Sequence, residues 1–188
     1  MAEHTIPKRE DVPEEYTWNL ADIFPDDAAW SAEYEALQQL PEKIAAYSGR
    51  LGESAETLLE FLRLDDEAGV RLGKLYGYAS CKSDQDTANA FYQDMRGKAM
   101  SVYVAVSSAG AFATPELIAI DEDKLNGFYL TAPELGVYRR SIYRIRRMAP
   151  HVLSAAEERL LAAAGEMANA PETVFGSFLN ADMRYPDA

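Results

Sequence analysis

An all-α fold, an irregular multi-helix lobe, is what this sequence predicts, and three observations predict it. Apolar residues recur at spacings of three and four through most of the chain, as in Trp30, Tyr34 and Leu37 or Leu58, Phe61 and Leu62. Prolines and short polar residues stand between these runs, where helices start and stop. Strand-like alternation is confined to Met183 and Tyr185 flanking Arg184, which leaves a C-terminal strand without a partner inside the sequence. With 188 residues, 48% of them hydrophobic, the chain has enough interior for one domain of ordinary size.

The first 16 residues hold Pro7, Pro13 and many charges without periodicity, so residues 1–16 are expected to form a flexible arm, with a helical lobe over 17–179. Trp18, Leu20, Ile23 and Phe24 make an apolar cluster ahead of Pro25. Asp26 or Asp27 then offers a side-chain oxygen to the free N–H groups of a helix carrying Trp30, Tyr34 and Leu37. Pro41 ends that run and begins another turn through Ile44 and Tyr47. Ser48 and Gly49 make a loop.

Ser54 precedes a run from Leu58 to Ala79, read as one long helix or as two joined near Gly69. A polar break at Lys82 to Asp86 separates it from a helical stretch over Thr87 to Thr114. Its charge-free part, Met100 to Ala113, reads as a buried helix too short to span a bilayer. Pro115 is expected at the first position of a further helix. Asp121 starts a short one through Leu125 and Phe128. Pro133 restarts the chain, after which Leu135, Tyr138, Ile142 and Ile145 fall at three, four and three. Ser154 and Glu157 form a capping box ahead of Leu160 and Leu161, and a last helix is expected over Val174 to Leu179. Residues 180–188 then read as a strand or linker leading onward.

Charge excludes several functions. The net charge is −13, and the acids crowd the front: through Val70 there are 5 basic residues against 17 acidic. Such a chain is repelled by phosphate backbones and anionic lipid, so neither nucleic acid nor membrane is an expected partner. Cys81 is the single cysteine, and no apolar leader is present, which together fit a reducing, cytoplasmic location.

Candidate chemistry is sparse. His4 and His151 are the only histidines, and HExxH, CxxC and HxH spacings are missing, so no metal or cofactor is expected on this chain. Cys81 lacks a nearby base in sequence and reads as a packing residue. The carboxylates at Asp65 to Glu67 and Asp121 to Asp123 are neighbours that point to different helix faces, hence solvated or capping groups. Gly49 to Gly52 carries an isolated GxxG in a loop. Arg139, Arg140, Arg144, Arg146 and Arg147 either bind carboxylates of a peptide or form a solvated face answering the acidic first helices; the second is the expectation, since surface ion pairs are commonplace.

Two stretches nevertheless carry a family resemblance: Trp18-Asn19-Leu20-Ala21-Asp22-Ile23-Phe24-Pro25, and Phe178-Leu179-Asn180-Ala181-Asp182-Met183-Arg184-Tyr185-Pro186. Between them, in order, lie Gly49-Arg50-Leu51-Gly52, Leu75-Tyr76-Gly77-Tyr78-Ala79-Ser80 and Ser83-Asp84-Gln85-Asp86-Thr87. From about Val12 onward the chain resembles the N-terminal part of oligoendopeptidase F, of the thimet-type zinc oligopeptidases. The resemblance implies a helical N-terminal lobe forming one wall of a deep channel, and a C-terminal lobe that carries the metal. In that family two histidines of HExxH and a later glutamate hold zinc, and the motif's own glutamate is the general base. None of these positions occurs here. The resemblance therefore implies a truncated chain whose zinc sits on a missing C-terminal catalytic lobe, with short peptides and that lobe as partners. Tyr76, Tyr78, Tyr103 and the arginine group are its candidate channel-wall contacts. A free-standing helical adaptor, with an apolar groove for a partner helix, is the alternative reading.

Overall fold

The computed structural model describes residues 11–86 and 89–151, together with Pro171, Val174, Phe175 and Phe178. It is all helical, with no strand among the described residues. The chain divides into two compact units, 1–146 and 147–188. In the second, the described residues include a 3-10 turn, Ala149–His151. The Ser154–Glu157 capping box, nearly all of the expected 174–179 helix and the expected strand lie outside the described residues.

The first unit opens with short 3-10 turns at Glu14–Tyr16 and Leu20–Asp22, then α1 (Asp27–Leu37). Asp26 caps α1, its Oδ1 accepting the Ala29 N–H at 2.8 Å. Leu20, Ile23 and Phe24 pack on the core as expected, but Trp18 does not: it is 87% exposed. The physical difference is that Asn19 caps the turn at Leu20, so the chain bends after Trp18 and leaves the indole outside.

Helix α2 (Leu40–Ala45) carries Pro41 in its first turn, where no N–H is needed. Gly49 then takes φ +80°, a conformation that favours glycine, and turns the chain toward α3 (Ala55–Gln85). Ser54 caps α3 through the Thr57 N–H. This helix is continuous through Gly69 and, at 31 residues, about 46 Å long. Leu58, Phe61, Leu62, Ala68, Leu72, Leu75, Ala79 and Ser83 form its buried stripe. The expected break at Lys82 to Asp86 is corrected: α3 runs on to Gln85. Lys82 to Gln85 stay helical because Ser83 continues the buried stripe and Lys82 finds ring and carboxylate partners.

Helix α4 (Ala90–Ala109), capped by Asn89, packs back along α3 through Met95, Ala99, Val102 and Val106. Ala79 of α3 and Ala99 of α4 are both buried small residues. The stretch from Met100 is not a buried helix, however. Only one stripe is covered; Met100, Tyr103 and Val104 are 42%, 49% and 54% exposed, because 3.6-residue periodicity turns them away from α3. By length and composition alone, residues 90–119 include a window apolar enough to cross a membrane.

Pro115 occupies the third position of α5 (Ala113–Ala119) rather than the first. Any of the first-turn positions tolerates it, since their N–H groups have no partner within the helix. Asp121 caps α6 (Glu122–Thr131), as expected. Pro133 restarts the chain as a 3-10 turn, Pro133–Tyr138, which leads into α7 (Arg139–Arg147). Leu135 and Ile142 are buried from this segment.

Polar links pin the apolar core. The Trp30 indole N–H donates to the Leu75 carbonyl at 2.8 Å, and the Arg71 guanidinium forks onto both oxygens of Glu33 at 2.6 and 3.1 Å. Asp27 accepts from two tyrosine hydroxyls, Tyr78 at 2.7 Å and Tyr92 at 3.2 Å, tying α1 to α3 and α4 at once.

Candidate functional site

The Gly49–Gly52 loop is no phosphate cradle. Its Gly49 and Leu51 N–H groups both donate to the Glu116 carboxylate, at 2.5 and 3.1 Å, so this loop clasps a side chain of the protein itself. Cys81 is half-buried and lines a cleft of about 360 Å³ with Tyr16, Thr17, Trp18, Leu20, Asp84 and Gln85. Among the described residues no three His, Cys, Asp or Glu side chains converge as metal ligands.

The candidate channel-wall tyrosines separate. Tyr78 is a core residue, 2% exposed, with its ring edge-on to Phe24 and its hydroxyl on Asp27, so it cannot touch a substrate. Burial, with the Asp27 hydrogen bond second, pushes its phenol well above the ordinary range. Tyr76 is half-buried beside Arg96, whose hydrogen bond holds that phenol below its usual value, and Arg96 also pairs with Asp84. Tyr103 lies on the uncovered face of α4.

Of the acidic triplets, expected as solvated or capping groups, Asp121 is a cap, whereas Asp66 accepts the Tyr138 hydroxyl at 2.7 Å and Glu67 pairs with Arg71. The surroundings of Asp65 raise its carboxyl, chiefly by desolvation and secondarily through the charge of Asp66.

The arginine group departs from its expected role. Among the described residues, none of Arg139, Arg140, Arg144 and Arg146 forms an ion pair with a carboxylate, so they do not answer the acidic first helices. Instead, α6 packs against the Pro133–Tyr138 turn, and residues of α6 and α7 line a cleft of about 190 Å³. Helix α6 contributes Glu122, Leu125, Asn126 and Tyr129; α7 contributes Arg139, Tyr143 and Arg146, spaced four and three along one face.

The two cleft arginines do different things. Arg146 is half-buried and donates to the carbonyls of Leu117 (3.0 Å), Ile118 (3.4 Å) and Ile120, closing the C-terminal end of α5. Arg139 lies over the Tyr129 ring, 4.5 Å from its centroid, and stays exposed. Burial raises the Tyr129 phenol, while the charges of Arg139 and Arg146 act in the opposite direction, so both guanidinium fields reach the cleft. Sequence periodicity placed these arginines on a helix; it could not show that α6 would face them, because that pairing depends on the turn at Pro133.

The family model described as Oligopeptidase F matches residues 116–185. The chain is 44% identical to Oligopeptidase PepF of Bacillus subtilis over 181 residues, 96% of this chain and 27% of the relative. It is 38% identical to Group B oligopeptidase PepB of Streptococcus agalactiae over 95% of its length and 30% of that protein's. The crystal structure of oligoendopeptidase-F from Enterococcus faecium superposes with a TM-score of 0.69 at 32% identity, covering 86% of this chain and 32% of that one. The chain is thus similar, over nearly its whole length, to the N-terminal region of oligoendopeptidase F. It spans between about a quarter and a third of the length of the curated relatives it matches.

Proposed function

We propose that this chain is the N-terminal helical lobe of an oligoendopeptidase that hydrolyses internal bonds of short peptides in the cytoplasm, the lobe forming part of the substrate channel. The observation that carries this reading is 44% identity over 96% of the chain to an oligopeptidase more than three times as long. Zinc is implied by the resemblance, but the described residues do not fit it, since no cluster of ligating side chains forms among them. The metal and its base then belong to further polypeptide. The work left to this lobe is positional: a rigid helical wall excludes folded proteins and holds an extended peptide in one orientation.

The test is complementation. The chain is mixed with the remaining lobe of the Bacillus subtilis relative, and hydrolysis of a quenched fluorescent oligopeptide is followed with zinc present. Turnover by the mixture and by neither part alone is expected. Turnover by this chain alone, or two lobes that neither associate nor hydrolyse, overturns the reading.

The uncovered face of α4, Met100, Tyr103 and Val104, favours a second reading, a helical adaptor that takes a partner helix. Hydrogen exchange separates the two. Protection of α4 amides by the added peptidase lobe supports the first reading; unchanged exchange in α4 alongside association elsewhere leaves the face for another partner.

A further inference from the structure

We infer that the Arg139 end of the α6–α7 cleft binds the C-terminal carboxylate of a short peptide. The cleft has two unlike ends. At one, Arg146 is committed to backbone carbonyls of residues 117, 118 and 120. At the other, Arg139 is stacked on Tyr129 and has no carboxylate partner among the described residues.

Arg140, Arg144 and Arg146 likewise have no carboxylate partner among the described residues, but of these four only Arg139 is both exposed and part of the cleft lining. The guanidinium lies 4.5 Å from the Tyr129 ring centroid and also hydrogen-bonds that side chain, which leaves further N–H donors able to receive a carboxylate. Asn126 and Tyr143 also line the cleft and add a side-chain amide and a phenol suited to the last peptide group. A volume of about 190 Å³ admits a carboxylate with one small residue and excludes a folded partner. That the carboxylate comes from a peptide rests on the proposed oligopeptidase function; the carboxylate chemistry rests on the cleft.

The net charge of −13 makes the test discriminating, because nonspecific electrostatics disfavours an anionic ligand. Two short, otherwise uncharged peptides with a neutral fluorophore, one a free acid and the other the C-terminal amide, are titrated with the full chain by anisotropy. The acid is expected to bind about tenfold more tightly, as one charge-assisted bidentate contact provides. R139Q removes the preference, R139K keeps part of it, and R140Q, on the same helix but not lining the cleft, leaves it intact; circular dichroism confirms that each variant is folded. Equal binding of acid and amide, no binding of either, or a preference that survives R139Q or disappears with R140Q overturns the proposal. Failed complementation with a preserved Arg139-dependent preference sinks the oligopeptidase reading alone. Successful complementation without the preference sinks this site alone.

Discussion

The α1–α3–α4 corner and the α6–α7 seam use the same side-chain types to opposite ends. At the corner four cations have acidic partners: Arg71 with Glu33 and Glu67, Lys82 with Asp27, Arg96 with Asp84, Lys98 with Asp94. Tyrosine hydroxyls there end on Asp27. At the seam the arginines meet carbonyls and a ring, and no carboxylate among the described residues. Where charges are matched, polar groups specify how helices cross. Where they are not, Leu125, Phe128, Leu135 and Ile142 supply the buried apolar contact, Arg146 is spent on carbonyls, and Arg139 remains available to a carboxylate.

The sharpest way to break this contrast is at Trp30, which joins the corner's apolar and polar parts. Trp30→Ala removes a nearly fully buried indole and orphans its bond to Leu75, so a loss of about 3–5 kcal/mol is expected in urea unfolding. A loss below about 1 kcal/mol would show that the corner is not what holds α1 in place. Asp27→Ala comes next. It strands the hydroxyls of Tyr78 and Tyr92 near the core and is expected to cost about 1–3 kcal/mol by the same measurement.

Alkaline pH probes the corner without mutation. Tyr78 has its folded-state phenol raised above the ordinary value of 10.0, so its contribution is complete below about pH 10 and is lost as pH rises further. The urea midpoint is therefore expected to fall above pH 10, and Tyr78→Phe to flatten that fall. Equal slopes in both proteins would contradict it.

The seam should yield smaller effects. Arg146→Met keeps the aliphatic stem but leaves the α5 carbonyls unanswered, for an expected cost of about 1 kcal/mol. Arg139→Gln, exposed and unpaired, should change stability by no more than about 0.5 kcal/mol. A change at Arg139 as large as that at Trp30 would erase the distinction between the two regions.

Local structure was legible in the sequence to the extent that it depends on neighbours along the chain. Caps at Asp26, Ser54 and Asp121 and the stripe from Leu58 to Ala79 are properties of spacing, and they stand where spacing puts them. Trp18 and Met100 were misplaced for a shared reason: hydrophobicity says that a side chain gains from burial, but not that an element exists to cover it. The Lys82 to Asp86 break failed because polarity was read without Asp27, Tyr78 and Tyr92, whose approach keeps Lys82 inside the helix. The seam was half legible. Five arginines on one helix are visible in the sequence, whereas their want of acidic partners is a matter of which helices meet.

The Glu116 clasp carries a consequence for how the lobe comes apart. By gripping the amides of Gly49 and Leu51, one side chain of α5 closes a ring of chain that holds α3 and α4 inside it. A protease that cuts the glycine turn would sever the covalent thread and still leave both fragments fastened together, so nicked protein should co-elute as a single species until denaturant is added.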